Sequence, residues 1–78
     1  MFEMVLLGNG SGKNTGIMLR SIRHSDGMVL EVLFRSGTAL PLRGTELLLK
    51  QGKRKVEAVE IIAKNTSFVR MKITALPN

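Results

Sequence analysis

The sequence predicts an all-β fold, a small and strongly bent antiparallel barrel of five to six strands, in one domain spanning residues 1–78. Three observations lead there. Turn-forming clusters recur at short intervals: Gly8–Gly16, Ser25-Asp26-Gly27, Ser36-Gly37, Gly44, Gln51-Gly52 and Lys64-Asn65-Thr66-Ser67. The segments between them are short and rich in Val, Ile, Leu, Met and Phe, as strands joined by tight connections are. Finally, 44% of the residues are hydrophobic and none is cysteine, so a chain of this size must be held by packing alone. That apolar content also separates it from disordered chains, which combine low hydrophobicity with high charge.

Taken in order, residues 2–7 form an apolar run that reads as a first strand, entering the glycine-rich loop Gly8–Gly16. Residues 17–24, 28–35 and 38–42 then read as a three-stranded meander. Its middle member is the clearest: Met28, Leu30, Val32 and Phe34 fall on one face, and Val29, Glu31, Leu33 and Arg35 on the other. Gly27 before it suits a tight turn, because glycine tolerates positive φ. Pro41 cannot donate to a ladder, which assigns it to an edge or a bulge. Residues 45–50 are open to two readings, a short helical turn capped by Thr45 or another strand. Residues 55–63 mix helix formers (Glu57, Ala58, Glu60) with strand formers (Val56, Val59, Ile61, Ile62) and are read as a strand. In the last segment Val69, Met71 and Ile73 point to the core, leaving Phe68, Arg70, Lys72 and Thr74 outward.

Twelve Lys or Arg against six Asp or Glu give a net charge of +6 and a pI near 10.6. Such an excess favours a polyanionic partner, above all nucleic acid, although surface charge also serves solubility. The densest basic stretch, Lys50-Gln51-Gly52-Lys53-Arg54-Lys55, reads as a turn presenting cations outward. Phe68, Arg70 and Lys72 put a ring and two cations on one strand face, a way in which β domains hold single strands. The candidate nucleic-acid-binding residues are therefore Lys53, Arg54, Lys55, Phe68, Arg70 and Lys72. With only three aromatic residues, all Phe, a platform for several bases is not available.

The loop "LLGNGSGKNT" has the outline of a phosphate clamp. The consensus G-x-x-x-x-G-K-[ST] needs glycine where Leu7 stands and a hydroxyl where Asn14 stands. Against the looser loop of nucleoside monophosphate kinases, which it resembles, it is one residue short between Gly8 and Gly10, so different amides converge. Asp26 is the only aspartate, and no apolar strand ends in it to hold magnesium. Lys13 remains as an auxiliary anion contact. No enzyme activity is expected: the single histidine, His24, lies beside a turn whose neighbours Ser25 and Asp26 diverge, and Glu57 and Glu60 are read as offsets to the basic cluster. Neither a metal nor a cofactor is expected. The N-terminus lacks the pattern of a signal peptide, and no apolar stretch approaches the ~20 residues that span a bilayer. A cytoplasmic location, no membrane partner and a homo-oligomer are the expectations, the last because small barrels gain from association.

Residues 30–77 resemble an Sm-like barrel, the family of bacterial Hfq and the small Rho-inhibitor proteins. The resemblance lies in "EVLFRSGTAL", a strand–turn–strand, and in the ending "NTSFVRMKITALP". It implies a bent five- or six-stranded barrel, often in rings, with RNA or a protein as partner. Where that family opens with a helix, residues 1–16 here read as a strand and a loop. "SGKNTGIMLRSI" and "VEAVEIIAKNTSFV" are in turn similar to the two ends of the TOBE or molbindin family. That second resemblance implies an oxyanion (molybdate-like) pocket, with Ser11, Lys13, Lys64 and Ser67 as candidates. Three expectations are thus ordered: nucleic-acid binding, RNA favoured; a protein–protein assembly module, supported by apolar residues on both faces of 2–7 and 28–34; and oxyanion binding.

Overall fold

Among the described residues there are six strands: β1 (Glu3–Leu7), β2 (Thr15–His24), β3 (Gly27–Arg35), β4 (Glu46–Leu49), β5 (Gly52–Lys64) and β6 (Phe68–Leu76). The computed structural model describes residues 3–8 and 15–76. The strands close into a barrel in the order β1-β2-β3-β6-β5-β4, and every pairing is antiparallel.

The long strands β2-β3-β6-β5 form one sheet, and the short β1 and β4 close it. Their mutual contact is brief, Leu6 opposite Leu48 and Leu7 opposite Leu47, extended by the Gly8 N–H donating to the Glu46 carbonyl at 2.8 Å. Curvature comes from bulges, one in β2 between Met18 and Arg20 and two in β5, between Val56 and Ala58 and between Ile61 and Ala63. Each inserts a residue on one side and bends its strand.

The core is built by alternation. β3 contributes Met28, Leu30, Val32 and Phe34, and β6 contributes Val69, Met71, Ile73 and Ala75. Val5, Leu7, Met18, Leu47, Leu49 and Val56 complete it. Fully burying a side chain of this kind stabilises by roughly 1.5–3 kcal/mol. Gly16 is buried because β2 passes tightly over β3: a Cβ there would lie 2.5 Å from Val32 Cγ1 and 2.6 Å from Phe34 Cε1. Among the described residues no polar or charged side chain is buried.

Two sequence expectations need correction, and one ambiguity is settled. Residues 38–42 are not a strand. They belong to an irregular connection between β3 and β4 in which Pro41 is fully buried and Leu40 packs against the core. The reason is competition: β3 pairs instead with β6, whose alternation matches it over eight successive positions, whereas Pro41 has no N–H to offer a ladder. The basic cluster is likewise not all turn, since Lys53, Arg54 and Lys55 lie inside β5. Residues 46–49 are strand rather than helix, because Leu47 and Leu49 share the core face with period two.

Candidate nucleic-acid interface

β6 presents Phe68, Arg70 and Lys72 outward, all three exposed, while its odd-numbered residues enter the core. Their neighbours are set by the ladders. Arg35 stands opposite Phe68, Leu33 opposite Arg70, and Glu31 opposite Lys72 on the β3 side. Across β5, Ala63 stands opposite Arg70 and Glu60 opposite Lys72.

This arrangement redistributes charge. Glu31, whose side chain is only 15% exposed, accepts two hydrogen bonds on one oxygen from Arg70, from Nη2 at 2.6 Å and Nε at 3.1 Å. Its other oxygen lies 3.4 Å from Arg20 Nε. A forked, charge-assisted contact of this kind holds the guanidinium in place. Lys72 has a glutamate on each flank, so the row Arg20, Glu31, Lys72, Glu60 is close to neutral. At the start of β6, Arg35 stands opposite Phe68 and Lys64 lines a cleft with it, and neither cation is in an ion pair among the described residues.

Phe68 stands between two shallow clefts. One, of about 370 Å³, is lined by Thr15, Ile17, Leu33, Arg35, Thr38 and Phe68. The other, of about 210 Å³, is lined by Leu33, Ala63, Lys64, Asn65, Phe68 and Arg70. The ring is positioned by the β5–β6 turn, where Asn65 Oδ1 accepts from the backbone N–H groups of Ser67 and Phe68, each at 2.8 Å. That turn is tied to the end of β3: the Ser36 N–H donates to the Ser67 carbonyl at 2.8 Å, and Ser36 Oγ donates to the Asn65 carbonyl at 3.1 Å.

The other candidates lie elsewhere. Lys53 stands opposite Leu48, Arg54 opposite Leu47 and Lys55 opposite Glu46. Since Leu47 is buried, Arg54 turns to the inner side at the barrel rim and is half-buried, whereas Lys53 and Lys55 point out and are exposed. Lys55 is also opposite Leu76, at the far end of β6 from Phe68, eight residues or about 26 Å away. The structure therefore brings Phe68, Arg70 and Lys72 together and leaves the 53–55 cluster as a separate basic patch. Lys13 and Ser11 lie outside the described residues. Of the remaining oxyanion candidates, Lys64 ends β5 opposite Val69, and Ser67 lies on the β5–β6 turn with its N–H already taken by Asn65.

Arg35 escaped the sequence reading as a contact residue, and Lys64 was assigned only to the oxyanion pocket. Alternation places Arg35 outward, but its position beside Phe68 follows from the β3–β6 register, which no local pattern encodes. Among the described residues no cluster of three or more His, Asp or Glu side chains could hold a metal, and no helix is long and apolar enough to cross a membrane. Compared with known families, curated proteins and solved structures, the chain shows no match.

Proposed function

We propose that the protein is a nucleic-acid-binding module without catalytic activity, acting in the cytoplasm with RNA as the favoured partner. Its binding surface is the outer face of the β3–β6 ladder. The observation that carries this reading is Phe68, 42% exposed on a sheet surface, with Arg35 directly opposite it and Lys64 beside it in a cleft. A base stacks on the ring, a contact worth roughly 1–3 kcal/mol, while Arg35 and Lys64 meet the adjoining phosphates and Arg70, held by Glu31, borders the site. With one exposed ring among the described residues, most of the affinity comes from phosphate contacts and counterion release, with little sequence preference. Lys72 and the Lys53–Lys55 patch extend the path toward the other end of the barrel.

The test is fluorescence anisotropy with a labelled mixed-sequence single-stranded RNA across a salt series. Arg35→Ala is expected to make the log–log salt slope shallower by about 0.7. Phe68→Leu is expected to weaken binding by roughly 1–3 kcal/mol with the slope unchanged. If the double variant binds as tightly as the parent, the interface is not here.

A second reading, an assembly module, is supported by an apolar band on the outer side of the closing strands. Met4, 59% exposed, stands opposite the exposed Ile17, and the exposed Leu6 stands opposite Leu48. A dilution-resistant oligomer with no RNA binding at low salt would select this reading over the first.

A further inference from the structure

We propose that the Phe68 site takes two consecutive nucleotides, with the ring as a wedge between their bases and one base in each flanking cleft. The inference rests on the nucleic-acid reading of this face and specifies how much of the strand it holds.

The clefts lie on opposite sides of the ring because β6 has β3 on one side and β5 on the other. Toward β3, the cleft of about 370 Å³ reaches Thr15 and Ile17 of β2 and Thr38 of the β3–β4 connection. Toward β5, the cleft of about 210 Å³ reaches Ala63, Lys64 and Asn65. Leu33 and Phe68 are common to both. One outward row joins them: Ile17 stands opposite Leu33, Leu33 opposite Arg70, and Arg70 opposite Ala63. Across four strands that row is about 14 Å long. A ring with a base on each face has two stacking contacts of about 3.5–4 Å each, so the row has room for all three layers. A single base would cover one face of the ring and leave the other cleft, with its apolar lining, in water.

Each cleft also has its own polar complement. Arg35 serves the larger and Lys64 the smaller. They stand on β3 and β5, two strand spacings or about 10 Å apart, so each cation meets the phosphate of its own nucleotide. The hydroxyls of Thr15 and Thr38 both donate and accept, which suits any base edge. Asn65 Oδ1 is taken by the Ser67 and Phe68 N–H groups, so its amide NH₂ is the group left to donate to a base. A wedge must also hold its place. The Phe68 N–H donates to Asn65 Oδ1 at 2.8 Å, and the Phe68 carbonyl accepts from the Asn65 N–H at 3.0 Å. The position of the ring is thus set before a strand arrives.

The experiment is an amide NMR titration of isotope-labelled protein with uridine monophosphate and with the dinucleotide pUpU. With pUpU, the amides of Thr15 and Thr38 in one cleft and of Ala63 and Asn65 in the other are expected to shift together, along one saturation curve. The dinucleotide is expected to bind roughly 5–150-fold more tightly than the mononucleotide, the worth of one further stacked base. That advantage should persist as salt is raised, because stacking, unlike phosphate contact, releases no counterions. Thr38→Leu and Ala63→Leu each fill one cleft; with folding confirmed by circular dichroism, each is expected to erase the advantage. Shifts confined to one cleft, or an advantage that disappears with salt, overturn the two-nucleotide site and leave the nucleic-acid reading intact. A mixed-sequence RNA that fails to bind, or binds without shifting any of these amides, overturns both.

Discussion

Gly27 is where a single methyl group should do most damage outside the core. It opens β3 with φ of 150°, and a Cβ built there would lie 2.4 Å from the Ala75 carbonyl oxygen. That neighbour is backbone, part of the β3–β6 ladder through the Met28–Ala75 step, and no rotamer change moves it aside. In Gly27→Ala the backbone strain costs about 1–2 kcal/mol, and a displaced, buried carbonyl adds about 1–3 kcal/mol. The sum, about 2–5 kcal/mol, is a large share of the ~4–12 kcal/mol that holds a domain of this length together. Gly37→Ala is the matched control. Its φ is 92°, yet nothing lies within 4 Å of the added Cβ, so only the strain of about 1–2 kcal/mol remains. The assay is urea unfolding followed by circular dichroism, since the chain has no Trp or Tyr to report by fluorescence. With m near ~1 kcal/mol/M, the midpoint of Gly27→Ala should fall below that of Gly37→Ala by about 1–3 M. Equal midpoints would refute the claim that the β6 carbonyl reserves this position for glycine.

Three further outcomes follow from the geometry. Glu31→Gln removes the carboxylate shared by Arg20 and Arg70. It should cost about 1 kcal/mol of stability in the same unfolding assay, while the released Arg70 tightens RNA binding and steepens its salt slope by about 0.7. Asn65→Ala removes the acceptor for the Ser67 and Phe68 amides; a loss of about 1 kcal/mol in urea unfolding is expected, with weaker RNA binding because the ring is no longer positioned. Val59→Thr should change stability by less than about 0.5 kcal/mol, whereas Val32→Thr, at a fully buried site, should cost about 1–3 kcal/mol by burying a hydroxyl without a partner.

Much of the barrel was legible in short stretches. The alternation of 28–35 and 68–74 assigned core and surface correctly because period two is a property of the strand itself. The segment 38–42 was misread because its apolar residues carry no information about which strand wins the place beside β3. Residues 55–63 were assigned to the right type of element, but the two bulges in β5, which decide what Glu57 and Ile62 face, have no local signature. The site divides the same way. Phe68, Arg70 and Lys72 could be grouped from spacing alone, since two-residue steps along one strand share a face. That Glu31 neutralises Arg70, that Arg35 stands beside Phe68, and that Lys55 is registered with the far end of β6 from the ring could not.

The sequence alone determined that this is an all-β chain with a basic surplus and one strand carrying a ring between core-facing residues. Those properties depend on residue type and on neighbours two positions away. The tertiary structure decided which cations pair with Glu31 and which stand beside Phe68. Both depend on register and closure between strands far apart in the chain, which come from the fit of one whole core rather than from any segment of it.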